Sequence, residues 1–275
     1  MSSVLAAGLV CGCSSKPASD AESSDGAAAS AEPLCDGSDH LRLSYRDVPG
    51  GGPFAGAFGP FLYPLGFRYV FIDGQCRYWA CNNVWQGART GVLNDQEASA
   101  LETKIHYADL PDLDGDWGQA CSDSSPWFAS DGSAEVSCGC GCEEDVPAEL
   151  SEMGVALCEF IEDSAGSGST HDGPMQIAAY DCTADGNGSD DGEWQLWPFA
   201  RNLSDVVVES DRFDATSGLL VDDQAELAEL RAFRADYVAA RGLVGRGDEN
   251  MQVRQDGSYY CLVVRDVVPW DPASP

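Results

Sequence analysis

Three cysteines at alternate positions, Cys138, Cys140 and Cys142, form the segment with the most distinctive chemistry. Alternate residues of an extended segment share a face, so the three sulfur atoms could bind a soft metal ion or act in redox chemistry. Structural zinc sites use paired C-x₂₋₄-C motifs, which this segment lacks. A bond between positions i and i+2 would be strained, so the alternative is three disulfides to three separate partners. We favour disulfides.

Two acidic turns, Asp112–Asp116 and Asp185–Glu193, place oxygen ligands at alternate positions, as calcium loops do. Neither matches the EF-hand. The second turn has Asp190 at the position of the invariant glycine and Leu196 at that of the bidentate glutamate. Solvated turns are sufficient to explain both in so acidic a chain, and we predict neither a metal nor a cofactor.

Familiar catalytic motifs are missing from the sequence. It contains no Gly-x-Ser-x-Gly elbow, no His-Glu-x-x-His and no Walker or dinucleotide glycine pattern. His40 and His171 are expected to be exposed, and His106 lies near the end of a predicted helix. We predict no catalytic residue, although a carboxylate pair could be hidden among 46 acidic residues.

Seven tryptophans are the natural candidates for a binding surface. Most are expected to pack in the core or on strand faces. Several exposed around one concavity would favour a carbohydrate or peptide site, because aromatic anchors dominate such surfaces. The seven are Trp79, Trp85, Trp117, Trp127, Trp194, Trp197 and Trp270.

The charge of the chain excludes several kinds of partner. Its 275 residues carry 15 Lys and Arg against 46 Asp and Glu, a formal net charge of −31. Nucleic-acid binding requires cationic side chains to replace phosphate counterions, and docking on an anionic leaflet requires a basic patch. We therefore expect no nucleic-acid partner. Twelve cysteines are typical of an exported protein.

The N-terminal residues have the pattern of a leader. A short apolar run, Val4–Val10, precedes Cys11-Gly12-Cys13 and then a polar segment rich in Ala, Ser and Asp. Val10 and Gly12 occupy positions −3 and −1 relative to Cys13, whereas Cys11 would follow a valine at −1. No Lys or Arg precedes the apolar run, so the true start is expected to lie upstream.

This leader resembles a bacterial lipoprotein signal, and the folded part resembles uncharacterised bacterial lipoproteins. The resemblance implies a signal peptide over 1–12, lipidation at Cys13 and a lipidated, disordered tether over 13–34. It also implies a lipid-anchored protein of the cell envelope, on the periplasmic or cell-surface side, most simply at the outer membrane.

Asp-Gly pairs between strand-like runs predict three hairpins, because a type I′ turn needs positive φ at both centres. The pairs begin at Asp73, Asp131 and Asp256. Three helices are also predicted. One runs from an Asn94–Glu97 capping box to about Ala108, the second opens at Pro147, and the third is capped by Asp223 and Glu226 with Gly242 as its stop. The stripes expected to face the core are Ala98, Leu101 and Ile105; Leu150, Met153, Leu157 and Ile161; and Leu227, Leu230, Phe233 and Tyr237.

These elements predict an α+β fold with two small disulfide-stapled domains, each an antiparallel sheet with Asp-Gly hairpins against one or two helices. The predicted N-terminal domain is 35–164 and the C-terminal domain 171–275, joined by a flexible linker at 165–170, AGSGST. The two halves share an order of elements, which favours either a duplication or independent recurrence of a ββαββ order.

Cysteine parity supports that boundary. Only Cys182 and Cys261 follow the linker, which predicts a disulfide between them; a free thiol or a bond across the linker is the alternative. The partners of the eight preceding cysteines are left open: Cys35, Cys76, Cys81, Cys121, Cys138, Cys140, Cys142 and Cys158.

The sequence therefore predicts a non-catalytic, surface-displayed lipoprotein with a binding or envelope-structural role and an unknown protein or carbohydrate ligand. Two alternatives remain. One is a secreted carboxylate-dependent hydrolase, and the other is a thiolate metal or redox protein that uses Cys138, Cys140 and Cys142.

Overall fold

The structure is a computed structural model, and it describes residues 32–47, 68–118, 126–139, 146–181, 194–207, 218–241 and 251–271. Within these residues the chain forms two sheets and three α-helices, which confirms the predicted α+β class. None of the helices in these ranges is long and apolar enough to cross a membrane.

The first sheet has eight strands in the order β5-β7-β6-β1-β2-β3-β4-β8. Neighbouring strands are antiparallel except β5 and β7, which are parallel, so the predicted antiparallel sheet has one exception. The strands are β1 (Leu41–Asp47), β2 (Arg68–Asp73), β3 (Arg77–Cys81), β4 (Arg89–Val92), β5 (Gly115–Trp117), β6 (Trp127–Ser130), β7 (Glu135–Cys138) and β8 (Ser169–Thr170).

The second sheet has five strands in the order β10-β12-β13-β9-β11. Here too one neighbouring pair is parallel, β10 with β12. The strands are β9 (Met175–Asp181), β10 (Gln195–Leu196), β11 (Leu219–Val221), β12 (Met251–Gln255) and β13 (Ser258–Asp266).

All three Asp-Gly pairs connect neighbouring antiparallel strands, as predicted. Only the turn between β12 and β13 has positive φ at both residues, 51° at Asp256 and 85° at Gly257, as a two-residue type I′ turn requires. The other two turns are longer. There the Asp73 and Asp131 side chains accept hydrogen bonds from backbone N–H groups two to four residues ahead.

The three helices are α1 (Asp95–Lys104), α2 (Ala148–Ser167) and α3 (Gln224–Arg241). The Asn94–Glu97 capping box is present, and Asp223 accepts from the N–H groups of Ala225 and Glu226. The first helix ends earlier than predicted, since His106 has a left-handed φ of 49° and a 3₁₀ helix follows over Tyr107–Leu113. Gly242 lies outside the described residues.

The prediction of a flexible linker at 165–170 is wrong. The α2 helix continues to Ser167, and Ser169–Thr170 form β8, antiparallel to β4. Arg89 fastens this edge by donating from Nη1 to Thr170 Oγ1 over 2.8 Å. This Gly- and Ser-rich segment would be flexible in isolation, and its contacts with β4 order it here. The change from the first sheet to the second falls between Thr170 and Met175.

The end of the predicted tether also needs correction. Leu34 is fully buried in the first core, and its N–H donates to Glu102 Oε1 over 2.6 Å. A buried leucine fixed to α1 belongs to the folded body, so the body begins before Cys35. Cys13 and residues 14–31 lie outside the described residues.

The described residues form three clusters of buried side chains. One lies between the first sheet and α1 and α2, and a second joins the second sheet to α3. The second cluster also contains Val84 and Trp85, which belong to the first half of the chain. A third, small cluster joins the halves and includes Tyr69, Cys81 and Val268. The two sheets therefore share a packed junction.

Candidate functional site

Not every cysteine forms the disulfide that the even count of cysteines predicts. Cys35 is bonded to Cys76, which ties the segment before β1 to the turn between β2 and β3. Cys81 is a buried free thiol, so its assignment to a disulfide was wrong. Cys158 lies in the first core, with its sulfur 3.5 Å from the Tyr45 hydroxyl. Cys121 lies outside the described residues.

The proposed thiolate cluster loses one member in the structure. Cys138 is disulfide-bonded, so its sulfur is not a free thiolate ligand. Cys140 and Cys142 lie outside the described residues. This bond favours disulfides over a metal or redox role for the segment.

The predicted Cys182–Cys261 bond stays a prediction. Cys261 is disulfide-bonded, while Cys182 lies outside the described residues.

The acidic turns contribute no metal site to the described residues, in which no three His, Cys, Asp or Glu side chains are grouped to hold an ion. In the first turn, Asp114 accepts from Glu135 N–H and Asp116 from Ser137 Oγ, so both side chains fasten β7. The second turn, 185–193, lies outside the described residues.

His171 contradicts the prediction of exposure, whereas His40 is exposed. His171 is 7% exposed. Its backbone N–H donates to Ala88 O, and its ring Nε2 lies 3.0 Å from Val267 O. It occupies the passage from β8 to β9, where the two halves meet, and the contacts across that junction bury it. His106 has its ring Nε2 2.7 Å from Glu152 Oε2.

The junction contains a buried carboxylate that joins both halves. Asp266 Oδ2 accepts from the backbone N–H of Ala88 over 2.8 Å and from Arg234 Nη2 over 2.9 Å. Asp266 and Arg234 are 3% and 4% exposed. Gly87 has a φ of 80°, and a Cβ there would collide with the side chains of both Arg234 and Asp266. Glycine is therefore required for this close approach.

A second buried ion pair lies beside the first. Arg265 donates from Nη1 and Nη2 to the two carboxylate oxygens of Asp271, in the bidentate arrangement that gives strong, directional pairing. Both side chains are almost fully buried. Because each carboxylate has a guanidinium partner, the pairs offset the large cost of burying single charges.

Two groups that could do chemistry adjoin these ion pairs. Burial, reinforced by the negative charge of Asp266, raises the pKa of the Cys81 thiol to about 12. Burial also raises the pKa of Tyr69 well above its usual value, with Cys81 as the next contribution. Both groups are neutral at physiological pH. A neutral, buried thiol is a poor nucleophile and a poor metal ligand.

A pair of partly exposed tryptophans adjoins this junction. Trp79 and Trp270 lie with ring centroids 5.3 Å apart and planes at 79°, an edge-to-face contact. Trp270 is 36% exposed and Trp79 is partly exposed. The other five tryptophans are buried or pack partly against the two main cores, as the sequence predicted for most of them: Trp85, Trp117, Trp127, Trp194 and Trp197.

Trp270 is held in an unfavourable backbone conformation. Its φ is 64°, a left-handed value that costs a bulky residue about 1–2 kcal/mol. The next residue is Asp271, whose carboxylate is clamped by Arg265 and whose N–H donates to Val268 O over 3.1 Å. The buried ion pair therefore fixes the turn that presents Trp270 at the surface.

The polar group shown next to Trp79 is Arg77. The Arg77 guanidinium lies 5.8 Å from the Trp79 ring centroid. Arg77 donates to Asp73 Oδ2 and Asp39 Oδ1, and Gln75 Nε2 also donates to Asp39 Oδ1. The Arg77 and Asp39 side chains are 42% and 78% exposed. We call Trp79, Trp270, Arg77, Asp39 and Gln75 the tryptophan surface.

The tryptophan surface could not be located from the sequence. Trp79 and Trp270 are nearly 200 positions apart in the chain, and Trp270 stands in a segment without strand or helix periodicity. The one local indication of a turn there was Asp271, the residue after Trp270, because Asp is common in turns. Comparisons with protein-family models, with curated proteins and with solved structures found no match.

Proposed function

We propose that the chain is a non-catalytic binding protein, anchored by lipid at Cys13 in the bacterial cell envelope. The observation that carries the binding role is Trp270, an exposed aromatic side chain held in a strained conformation by a buried ion pair. Strained residues cluster where a structure must present a group for recognition. Exposed tryptophans are frequent anchors of binding surfaces.

The internal location of the reactive groups is consistent with this proposal. Cys81, Tyr69, Asp266 and Asp271 all lie in the junction between the halves, where they pack or pair with arginine. Catalysis would need such groups to face a site that a substrate can enter. The disulfide at Cys138 likewise speaks against the thiolate metal or redox alternative.

Metabolic labelling tests the lipid anchor. When the gene is expressed in its native host with radiolabelled palmitate, we expect the wild type and Cys11→Ser to incorporate label and to fractionate with membranes. Cys13→Ser should lose both properties. Label that persists in Cys13→Ser but disappears in Cys11→Ser would contradict the assignment, as would a wild type without label.

A further inference from the structure

Asp-Gly pairs can rearrange their own backbone. The glycine nitrogen attacks the side-chain carboxyl carbon of the aspartate, and the carboxyl hydroxyl leaves with the N–H proton as water, which closes a five-membered succinimide. Water then adds to one ring carbonyl and opens the ring, to aspartate or to isoaspartate, in which the main chain runs through the side-chain carboxyl. The sequence has nine such pairs. Six lie within the described residues: Asp36-Gly37, Asp73-Gly74, Asp114-Gly115, Asp131-Gly132, Asp172-Gly173 and Asp256-Gly257.

Hydrogen bonds hold the reacting atoms in four of these six pairs. The aspartate carboxylate accepts from a backbone N–H group further along the chain in each of the four: Asp36, Asp73, Asp114 and Asp131. The glycine N–H, which belongs to the attacking nitrogen, is itself a donor in three: Gly37 to Gly74 O, Gly74 to His40 O and Gly132 to Ser130 Oγ. Ring closure in these pairs must first break such bonds.

The pair at the tip of the β12–β13 hairpin is free of these restraints. Asp256 and Gly257 are both exposed. Neither the Asp256 carboxylate nor the Gly257 N–H forms a hydrogen bond with another residue of the described ranges. The flanks are fixed, because Gln255 pairs with Ser258 and its side chain donates to Arg201 O. The reacting atoms are therefore mobile and open to water on an ordered base.

The backbone of Asp256 is also close to the conformation that closes the ring. Its φ is 51°, the one positive φ of an aspartate within the described ranges. Ring closure requires the Gly257 nitrogen to eclipse Cβ of Asp256, which for an L residue occurs at a ψ of about −120°, as at the first central position of a type II′ turn. The change from type I′ to type II′ keeps the positive φ of Asp256, and glycine permits the new φ that follows. Both turns join paired strands, so the hairpin can stay paired while the ring forms.

Asp172-Gly173 provides the closest comparison. Asp172 is also exposed, and its carboxylate forms no hydrogen bond to a residue of the described part of the chain. Its φ is not positive. Gly173 is restrained on two sides, because its carbonyl accepts from Arg231 Nη2 and a Cβ on it would collide with the His171 ring. The peptide between Asp172 and Gly173 therefore rotates less freely than the hairpin turn.

We propose that Asp256 is a site of spontaneous isoaspartate formation, through a succinimide with Gly257. Isoaspartate adds one methylene to the main chain of a two-residue turn, whose length sets the register of the strands that it joins. The modification therefore loosens β12 from β13 beside the turn. The junction residue Asp266 lies at the opposite end of β13 and is affected last.

The site is tested by ageing the full chain, carrying Cys13→Ser to remove the proposed lipid site, for several weeks at pH 6 and 37 °C. Protein L-isoaspartyl methyltransferase and radioactive S-adenosylmethionine then label isoaspartyl residues, and peptide mapping locates the label. Among the six described pairs, we expect the Asp256 peptide to carry several times more label than any other. A sample aged in guanidinium chloride should label all six to a similar extent, because the reacting dipeptide is the same.

Two variants connect the label to the hairpin. Asp256→Gly removes the reacting carboxyl and retains a Gly-Gly sequence that suits a type I′ turn, and Asp172→Gly is the matched control at the other exposed pair. Hydrogen exchange in β12 should be faster in aged than in fresh wild type and in aged than in fresh Asp172→Gly. It should not change on ageing in Asp256→Gly. Circular dichroism of the fresh proteins establishes that each is folded.

Several results would overturn the proposal. In the folded sample, these are label at Asp256 no greater than at the four hydrogen-bonded aspartates, or label at Asp172 equal to that at Asp256. The same ranking of the six pairs in folded and denatured samples would show that the hairpin does not select the site. Unchanged hydrogen exchange in heavily labelled wild type would show that the modification does not loosen the strands.

Discussion

The two halves of the molecule share a linear order of elements but assemble it differently. In the first sheet the opening strand, β1, lies between β2 and β6. Strand β6 is the first strand of the hairpin that turns at Asp131. In the second sheet the opening strand, β9, lies between β11 and β13, and β13 is the second strand of its hairpin. The shared order therefore does not produce matching sheets, which favours independent recurrence over duplication.

The halves also use their scarce positive charges differently. Arg42 and Arg46 pair with exposed glutamates of the first half, and Arg77 contacts both the exposed Asp39 and the buried Asp73. Arg234 and Arg265 of the second half are buried, and each pairs with one buried carboxylate. The first half has a disulfide near its surface turns, whereas buried charges of the second half fasten the junction. The second half therefore supplies the charged side chains of the junction, and the first half contributes the Ala88 N–H that binds one of them.

The largest expected effect comes from breaking the junction at Asp266. Asp266→Asn keeps the shape but leaves Arg234 buried without its charge partner, which typically costs about 3–5 kcal/mol. We expect urea denaturation to show that loss. Hydrogen exchange should accelerate in strands of both sheets, because Asp266 also accepts from Ala88 of the first half.

Asp236→Asn is the matched control for this experiment. Asp236 is exposed on α3, the helix that carries Arg234. An exposed substitution of this kind changes the free energy of unfolding by less than about 0.5 kcal/mol. If the two variants are equally stable, the junction is not held by the Asp266–Arg234 pair.

The next effect should be confined to the first half. The Cys35–Cys76 bond joins residues separated by 41 positions, and the chain-entropy model assigns such a loop about 4 kcal/mol. A Cys35→Ser, Cys76→Ser double variant should lose about 2–4 kcal/mol, with faster hydrogen exchange concentrated in β2 and β3. Exchange that rises equally in the second sheet would show that the Cys35–Cys76 bond does not stabilise the first half alone.

A smaller effect is expected at Asp47, and it depends on pH. Burial raises the pKa of Asp47 to about 6, although the positive charge of Arg68 opposes the shift. The folded carboxyl therefore binds its proton more tightly than the unfolded chain does, and stability is lost as pH rises from about 4 to about 6.

Asp47→Asn removes this loss. At pH 7 the variant should be more stable than the wild type by about 1–2 kcal/mol, less than the full shift implies because Asp47 is only partly buried. At pH 4 the two proteins should unfold at the same urea concentration. A difference that does not change with pH would contradict the assignment.

The smallest effect concerns the N-terminus of α1. Asn94 accepts from the N–H groups of Gln96 and Glu97, while Glu97 accepts from Asn94 N–H. Asn94→Ala should cost about 1 kcal/mol, whereas Asn94→Asp should be nearly neutral. Thermal unfolding of the three proteins provides the comparison, and equal melting temperatures for wild type and Asn94→Ala would show that the cap is not needed.

Local patterns predicted most of the elements, because their causes are local. The apolar stripe of α2 is fully buried at Leu150, Met153, Leu157 and Ile161, and the Asp256-Gly257 turn has the predicted backbone conformation. The errors occurred where a distant neighbour decides the outcome. Thr170 is ordered by Arg89 of β4, and His171 is buried by contacts with Ala88 and Val267.

The junction and the tryptophan surface lay beyond sequence reasoning for the same cause. Nothing near Asp266 in the sequence distinguishes it from the other 45 acidic residues. Its role depends on Ala88 and Arg234, which are 178 and 32 positions away. Cysteine parity could not reveal the Cys81 thiol either, because an even count allows pairing without requiring it.

Cys81, Tyr69, Asp266 and Asp271 are buried at the junction of the two halves, and the reactivity of the Cys81 thiol measures that burial. The native wild type is treated with iodoacetamide at pH 8, and labelling at Cys81 is measured by peptide mapping, before and after unfolding in urea. We expect almost no labelling of Cys81 in the native protein, because the thiol is buried and its pKa is raised to about 12, and complete labelling once unfolded. Native labelling as fast as that of a free cysteine would contradict the account, because the junction would then be an open, reactive site.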